Sequence, residues 1–302
     1  MRESTSTPTV EALCGLFGFS KQAYYQNNTA RIEEVFTESM ILEYVRKLRK
    51  DMPRTGGRKI HLSLQEELPE ELQIGRDALF ELLRKHGYLI RNRRRGTKTT
   101  DSKHRFRTYP NLIKEFVPDG SNQLWVSDIT YLSVGYRSFY YLSLITDAYS
   151  RKIVGVHLSE SLSTEGPLKA LKMAMETLPE EVGGLIHHSD RGIQYCSTQY
   201  VSALQERGIQ ISMTENGDPL ENAIAERVNG ILKEEWLNSM TYSGIKDARA
   251  KVSEVVTLYN TKRKHSSIAM LTPDQAHLKT GGLARCWRSY YKKEANRKDA
   301  YV

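Results

Sequence analysis

Three carboxylates stand where carboxylates are rarely placed for packing alone. Asp128 lies in the run QLWVSDITYLSV (123–134), on the same side of an alternating pattern as Leu124, Val126, Leu132 and Val134, in a stretch that should be buried on both sides. An unpaired carboxylate there is costly, so an Arg, a Lys or a metal ion must compensate it. Asp190 closes the run GLIHHSD, at a strand end where α/β sheets place ligand-binding groups. Glu226 follows 36 positions later, in a segment with helical spacing. Among 36 acidic residues such a separation arises by chance, so placement carries the weight. A mid-strand acid, a strand-end acid and a helix acid can converge, and three hard oxygen ligands suit magnesium or manganese. Two such ions about 4 Å apart can activate a nucleophile and stabilise the leaving oxygen of a phosphodiester.

The segment around Glu226, SMTENGDPLENAIAERVNGILKEEW (212–236), opens as a loop and continues as a helix. At 3.6 residues per turn, Asn222, Glu226, Asn229 and Lys233 form one polar stripe. An acid facing metal ions would then be flanked by amides and a cation, with Asn222 and Lys233 able to meet a DNA phosphate. A solvated stripe with ordinary ion pairs is the alternative. Asp147, in the turn-like TDAYSR, is a rival ligand assigned to capping that turn or pairing with Arg151. His187 and His188 alternate to opposite faces and read as structural, while Glu221, Glu234 and Glu235 read as helix-surface charges.

The elements that must position these groups follow from periodicity. QLWVSDITYLSV, RSFYYLSLITDAYS (137–150) and KIVGVHLS (152–159) read as three consecutive antiparallel strands. A helix (TEGPLKALKMAMETL), the strand GLIHHSD, a helix (TQYVSALQERG), the strand IQISM, the helix bearing Glu226 and an amphipathic helix over Ile245–Tyr259 come after them. The outcome is an α/β fold, a mixed five-stranded sheet with helices on both faces. Ahead of it, TVEALCGLFGFSKQAYYQ (9–26) outlines a helix-turn-helix, with Leu13, Leu16 and Phe17 on one side and Ser20 as a cap. Helices around MILEYVRKLRKD, RKIHLSLQEEL and IGRDALFELLRKHG, the last closing at Gly87, make a DNA-reading head or a helical adaptor.

The expected organisation is an N-terminal helix-turn-helix-like segment (1–36), a helical DNA-binding domain (37–92), a basic linker (93–117), the α/β core (118–280) and a basic tail (281–302). The formal net charge is +8, favouring a polyanionic partner. From Arg91 to Arg107 eight cations face one Asp; Arg91, Arg93, Arg94, Arg95, Lys98, Arg105 and Arg107 are candidates for DNA phosphates. The tail LARCWRSYYKKEANRK interleaves Trp287, Tyr290 and Tyr291, which stack on bases or form a frayed last helix. Cys14, Cys196 and Cys286 form no CxxC pair, so neither a disulfide framework nor a zinc ribbon is expected. No apolar run approaches a membrane span and the start lacks a secretory pattern, so the expected location is the cytoplasm.

WVSDIT, HHSDRGIQY, SMTENGDPLENAIAERVNGILKEE and LYNTKRKHSSIAMLTPDQA, in this order and spacing, resemble the catalytic core shared by retroviral integrases and bacterial insertion-sequence transposases: Asp, Asp, 35 intervening residues, Glu, and a basic residue seven further on. The resemblance is to OrfB, the second-frame product of elements that encode their transposase in two overlapping frames, and covers roughly residues 8–280. It implies a ribonuclease-H-like fold and an enzyme that cleaves and joins DNA strands, a DDE polynucleotidyl transferase. Asp128, Asp190 and Glu226 would hold two divalent cations, Mg2+ or Mn2+, with Asn222 and Lys233 near substrate DNA. Lys262, Arg263, Lys264 and His265, in YNTKRKHSSI, are expected at the DNA ends. The implied partners are double-stranded DNA bearing terminal inverted repeats, target DNA, a second copy on paired ends, and the OrfA product or a fusion with it. The implied setting is bacterial and nucleoid-associated. The helical head carries a GlyGlyArgLysIle version of the family's usual tyrosine-containing loop. The zinc-binding His2Cys2 module of retroviral integrases is absent, because residues 1–110 hold only Cys14. A DNA-binding regulator with a silent core, and a ribonuclease-H-like nuclease that cuts without joining, are the other functions this pattern allows.

Overall fold

The computed structural model describes residues 11, 20–70, 73–90, 107–135, 138–178, 183–215 and 222–286. The expected helix-turn-helix at 9–26 falls mostly outside them, as do the basic run 91–106 and the tail from residue 287. The chain divides between Arg93 and Arg94 into two compact units.

The first unit is built on α1 (Lys21–Asp51), α2 (Gly57–Glu67) and α3 (Arg76–Lys85). The 31 residues of α1 contain no Gly or Pro, so nothing interrupts the helix, and it runs unbroken across the boundary expected at 36/37. Ile41, Leu42 and Val45 of α1 meet Ile60 and Leu64 of α2 and Leu79, Leu82 and Leu83 of α3 in one buried cluster. Each such side chain contributes roughly 1.5–3 kcal/mol by leaving water. The close of α3 follows the expected signal: Gly87 takes φ +70°, and the Tyr88 N–H donates to the Leu83 carbonyl at 2.7 Å. In the GlyGly loop, a Cβ on Gly57 would lie 2.8 Å from the Phe80 ring, so the second glycine lets α2 start against α3.

The second unit holds β1 (Leu124–Gly135), β2 (Ser138–Asp147), β3 (Ile153–Ser159), α4 (Glu165–Met175), β4 (Ile186–Ser189), α5 (Ile193–Cys196), α6 (Thr198–Glu206), β5 (Gln210–Met213), α7 (Ala223–Glu235), α8 (Ile245–Lys262) and α9 (Pro273–His277). The sheet order is β3-β2-β1-β4-β5. β1, β2 and β3 pair antiparallel, whereas β4 runs parallel to β1 and β5 parallel to β4. This is the mixed five-stranded, ribonuclease-H-like arrangement expected, with β1 at its centre. The last six residues of β2 are buried without alternation, as a strand covered on both faces requires.

One face of the sheet packs on α4 and α6 through Trp125, Ile145, Val154, Ala170, Leu171, Tyr200 and Leu204. The approach of α4 is so close that a Cβ on Gly155 of β3 would lie 2.2 Å from the Ala170 carbonyl oxygen. On the far side of the sheet, Asn260 of α8 clamps the backbone of Ile153, accepting from its N–H at 3.0 Å and donating to its carbonyl at 2.9 Å. Residues 110–112 lie along β5, where the Met213 N–H reaches the Pro110 carbonyl and the Leu112 N–H donates to Ser212 Oγ at 2.9 Å. Both outer strands thus have backbone groups satisfied by neighbouring segments. Among the described residues no helix is long and apolar enough to cross a membrane.

Gly155→Ala is expected to lower stability by more than about 3 kcal/mol, because the new methyl meets a backbone carbonyl that cannot rotate away. Gly230→Ala, in α7 with open space at its Cβ, should be neutral or stabilising by up to about 1 kcal/mol. Urea unfolding of the two variants beside the parent chain measures both effects.

Candidate active site

Asp128 and Asp190 are brought together by strand register. β1 and the parallel β4 pair Val126 with His188, and two residues further along each chain come Asp128 and Asp190. Neighbouring strands lie about 4.8 Å apart, and a step of two keeps both side chains on one face. The half-buried Asp128 has each oxygen in the grip of a donor: the Ile129 N–H reaches Oδ1 at 2.9 Å and Asn229 Nδ2 reaches Oδ2 at 2.7 Å. The Gly192 N–H donates to Asp190 Oδ1 at 3.0 Å and fixes that carboxylate in the turn after β4. The phenol of Tyr195 registers both acids; burial holds its pKa well above the usual range, with Tyr200, Asp190 and Asp128 adding to the shift.

The polar stripe of α7 is not solvated. Asn222, just before the helix, is 6% exposed and donates from Nδ2 to the Ser127 carbonyl at 3.0 Å. Asn229 is 4% exposed and holds Asp128, while Lys233 Nζ reaches Thr130 Oγ1 at 3.2 Å. The stripe therefore lies along β1 at Ser127, Asp128 and Thr130, and half-buried Glu226 belongs to it, one turn after Asn222. Both amides are fixed in orientation, since each NH2 group faces an obligate acceptor. Their Oδ1 atoms are buried and make no hydrogen bond among the described residues. Burial lowers the pKa of Lys233, and the negative Asp128 opposes that shift.

Behind β1, His187 Nε2 lies 2.6 Å from Ser127 Oγ and 2.9 Å from Tyr200 Oη. Burial pushes His187 down to about 3, so the imidazole is neutral at ordinary pH. His188 Nδ1 lies 2.8 Å from Ser212 Oγ on β5. Asp147 is wholly buried as a turn cap: Oδ1 accepts from the Ser150 N–H and hydroxyl, and Oδ2 accepts from the Asn122 N–H at 2.7 Å.

Among the described residues no three His, Cys, Asp or Glu side chains are grouped closely enough to hold a metal ion. Like charges repel, and Asp128 and Asp190 are each turned by their own N–H donors. The donor chemistry nevertheless fits a hard divalent cation, because adjacent strand positions supply two carboxylates and a helix docked on one of those strands carries the third.

Several basic residues expected at DNA stand elsewhere. Arg263 is buried and donates from Nε and Nη2 to both oxygens of Glu235, at 2.7 and 2.6 Å. His265 is also buried, 2.8 Å from Arg263 Nη1 and edge-on to Tyr259. These two residues of the YNTKRKHSSI segment join α7 to α8, and Glu235 is their anchor rather than a surface charge. Lys262 is exposed and Lys264 half-exposed. Arg107 is exposed, its guanidinium 5.5 Å from the centre of the Tyr109 ring. Arg91, Arg93, Arg94, Arg95, Lys98, Arg105 and Glu221 lie outside the described residues. The Asn229 contact with Asp128 was missed by sequence reasoning beyond its place on the stripe, although a position three after Glu226 pointed to it. The pairing of Arg263 with Glu235, 28 residues apart, left no local trace.

A central β1 flanked by antiparallel β2 and parallel β4, with a polar helix laid across its acid, defines a ribonuclease-H-like core of the integrase class. The integrase core domain family matches residues 118–219 and again 207–273. An uncharacterized 31 kDa protein of insertion element IS600 from Shigella sonnei is 32% identical over 86% of this chain and 96% of its own length. The putative transposase for IS986/IS6110 of Mycobacterium tuberculosis is 31% identical, covering 72% of this chain and 79% of its own. The magnesium-bound HTLV-2 integrase catalytic core domain is a distant neighbour, at 17% identity and a TM-score of 0.42, covering 53% of this chain and 99% of that one, and nothing further rests on it. The chain belongs to the insertion-sequence transposases with an integrase-like core, and its function is DNA transposition. The family is one of metal-dependent polynucleotidyl transferases that assemble on DNA.

Two measurements separate structural from functional groups here. Arg263→Ala, which leaves Glu235 without its bidentate partner, is expected to cost about 3–5 kcal/mol in urea unfolding, whereas Lys262→Ala should leave stability within about 0.5 kcal/mol. His187 has a folded pKa below its ordinary 6.5, so its contribution is fully present above that value and is lost as pH falls toward about 3. Stability should decline by up to about 1.4 kcal/mol per pH unit across that window, with a shallower decline in His187→Gln.

Proposed function

We propose that the chain cleaves and joins DNA strands at the ends of an insertion sequence through Asp128, Asp190 and Glu226, acting as a DDE transferase. What supports this reading is the docking of Asn222, Asn229 and Lys233 on β1, because Glu226 belongs to the same stripe of α7 and Asp128 and Asp190 stand on the paired strands β1 and β4. Asp128, Asp190 and Glu226 would hold two divalent cations, magnesium or manganese, whose chemistry is to lower the pKa of a bound nucleophile and to stabilise a departing oxygen. Asn229 and the Ile129 N–H fix the orientation of Asp128, and the Gly192 N–H fixes that of Asp190. Such preorganisation keeps the ligands from having to turn during the reaction. No side chain of the site is placed as a covalent nucleophile in this scheme, so water or a 3′ hydroxyl attacks the phosphodiester directly.

Lys233, poised over Thr130, supplies positive charge beside the scissile phosphate. Asn222 keeps the first turn of α7 against β1. Lys262, Lys264, Arg107 and the cations of residues 91–105 are the candidates for backbone phosphates. Two DNA ends are brought together by at least two copies, with the OrfA product or a fusion as a further partner.

In a metal-dependent nicking and joining assay on DNA bearing the ends of the chain's own element, Glu226→Gln should lose both steps by about a thousandfold or more while binding DNA like the parent. Chemistry surviving in Glu226→Gln would remove that residue from the site. Nicking without joining by the parent chain would point to a nuclease.

A further inference from the structure

Beyond Asp128 the β1–β2 hairpin carries an aromatic cluster that neither the core nor the carboxylate site uses. Tyr131 is 45% exposed and Phe139 is 46% exposed. The Tyr131 ring meets Phe139 edge to face at 6.2 Å and 85°, and Tyr141, its partner across the strands, at 5.3 Å and 61°. The three rings brace one another in fixed directions, yet two of them leave nearly half their surface in water. An ordinary cross-strand pair would stabilise a hairpin by a few tenths of a kcal/mol to about 1 kcal/mol without such exposure of large rings.

The position of the cluster identifies what it can hold. β4 pairs with β1 over Leu124–Val126, and among the described residues no strand continues along that edge of β1 past Val126. A chain crossing this edge meets Asp128 on one face and Tyr131 on the other, three residues and roughly 10 Å further along the strand. The two side chains point to opposite faces, so a nucleic-acid strand that reaches both must pass around this edge of β1. From Ile129 to Thr146 the sequence contains no acidic residue, so between Asp128 and Asp147 the hairpin itself presents nothing that repels a phosphate backbone. Exposed, braced aromatic rings and an absence of negative charge beside a phosphodiester site are the chemistry of base stacking.

We propose that Tyr131 and Phe139 form a stacking platform for an unpaired nucleobase of the DNA strand whose phosphodiester lies at Asp128. The inference rests on the reading of Asp128 as part of the strand-transfer centre. A base released from its pair stacks on the rings, and the platform thereby favours DNA that is open next to the reacting phosphate. The platform adds no chemical step; it offsets part of the unpairing cost and sets the distance between the open base and the carboxylates.

The test uses the full chain carrying Glu226→Gln, so that binding is read without turnover. The probes are two duplexes of the element end, one fully paired and one mismatched at the three pairs next to the scissile phosphate, each with 2-aminopurine at the third position. The chain should bind the mismatched duplex more tightly and quench its 2-aminopurine. Tyr131→Ala combined with Phe139→Ala should weaken the mismatched complex about tenfold or more, remove the quenching, and leave the paired complex within about twofold. Tyr131→Phe should retain the preference. Tyr131→Thr, which keeps strand propensity without a ring, should lose it with little change in melting temperature, separating stacking from hairpin stability. Equal binding of the two duplexes by the parent, equal losses on both, or a changed oligomeric state with the preference intact would overturn the platform. The proposed catalytic role of Glu226 fails or stands by its own nicking assay, whatever the binding preference shows.

Discussion

The hydrogen bond from Asn229 to Asp128 is the point on which the site's architecture turns. It ties a carboxylate in the central strand to a helix that begins nearly a hundred residues later, and so fixes the rotation of α7 about its axis. The bonds from Asn222 to the Ser127 carbonyl and from Lys233 to Thr130 fix its position along β1. Glu226 shares that stripe, one turn after Asn222 and three residues before Asn229. A greasy contact would hold the helix as strongly but would tolerate sliding by a fraction of a turn, because apolar burial is non-directional. Directional amide bonds do not.

Much of this frame is legible in the sequence. β-branched and aromatic runs give the strands of the sheet, and Asp128, Asp190 and Glu226 stand out because a mid-strand, a strand-end and a stripe position are poor places for idle acids. What is not legible is pairing at a distance. The adjacency of Asp128 and Asp190 depends on the register of β4 against β1, which no local pattern encodes. The stripe on α7 is equally compatible in sequence with a solvated surface, since Asn, Glu and Lys are common there. Only the partners on β1 make it interior. Arg263 and His265 misled for the same reason: a basic cluster near a DNA-processing site suggests phosphate, and the acid that claims Arg263 lies 28 residues earlier on another helix.

The length of α1 was underestimated for a different reason. Helical periodicity reports the face that packs, and that face starts near Ile41, where the three-helix core begins. The preceding turns contain no Gly or Pro to end the helix, and Val35, Phe36 and Met40 are exposed there. A pattern search based on burial stops at the edge of the core and not at the end of the helix.

A helix with a polar inward stripe needs another source of holding energy, and α7 places that source one residue away. Ala225, Val228 and Leu232 precede Glu226, Asn229 and Lys233 by one position each, so the apolar face lies about 100° around the helix from the polar one. Ala225 packs with Leu124, Val126 and Ile186 on the sheet, while Val228, Ile231 and Leu232 are buried, with Trp236 and Leu237 buried just beyond the helix end. Arg263 and Glu235 then lock that end with a paired charge. Hydrophobic burial thus supplies affinity on one face, and the amides supply direction on the next. The polar stripe is free to be chosen for its chemistry because it is not the face on which the helix depends for being there.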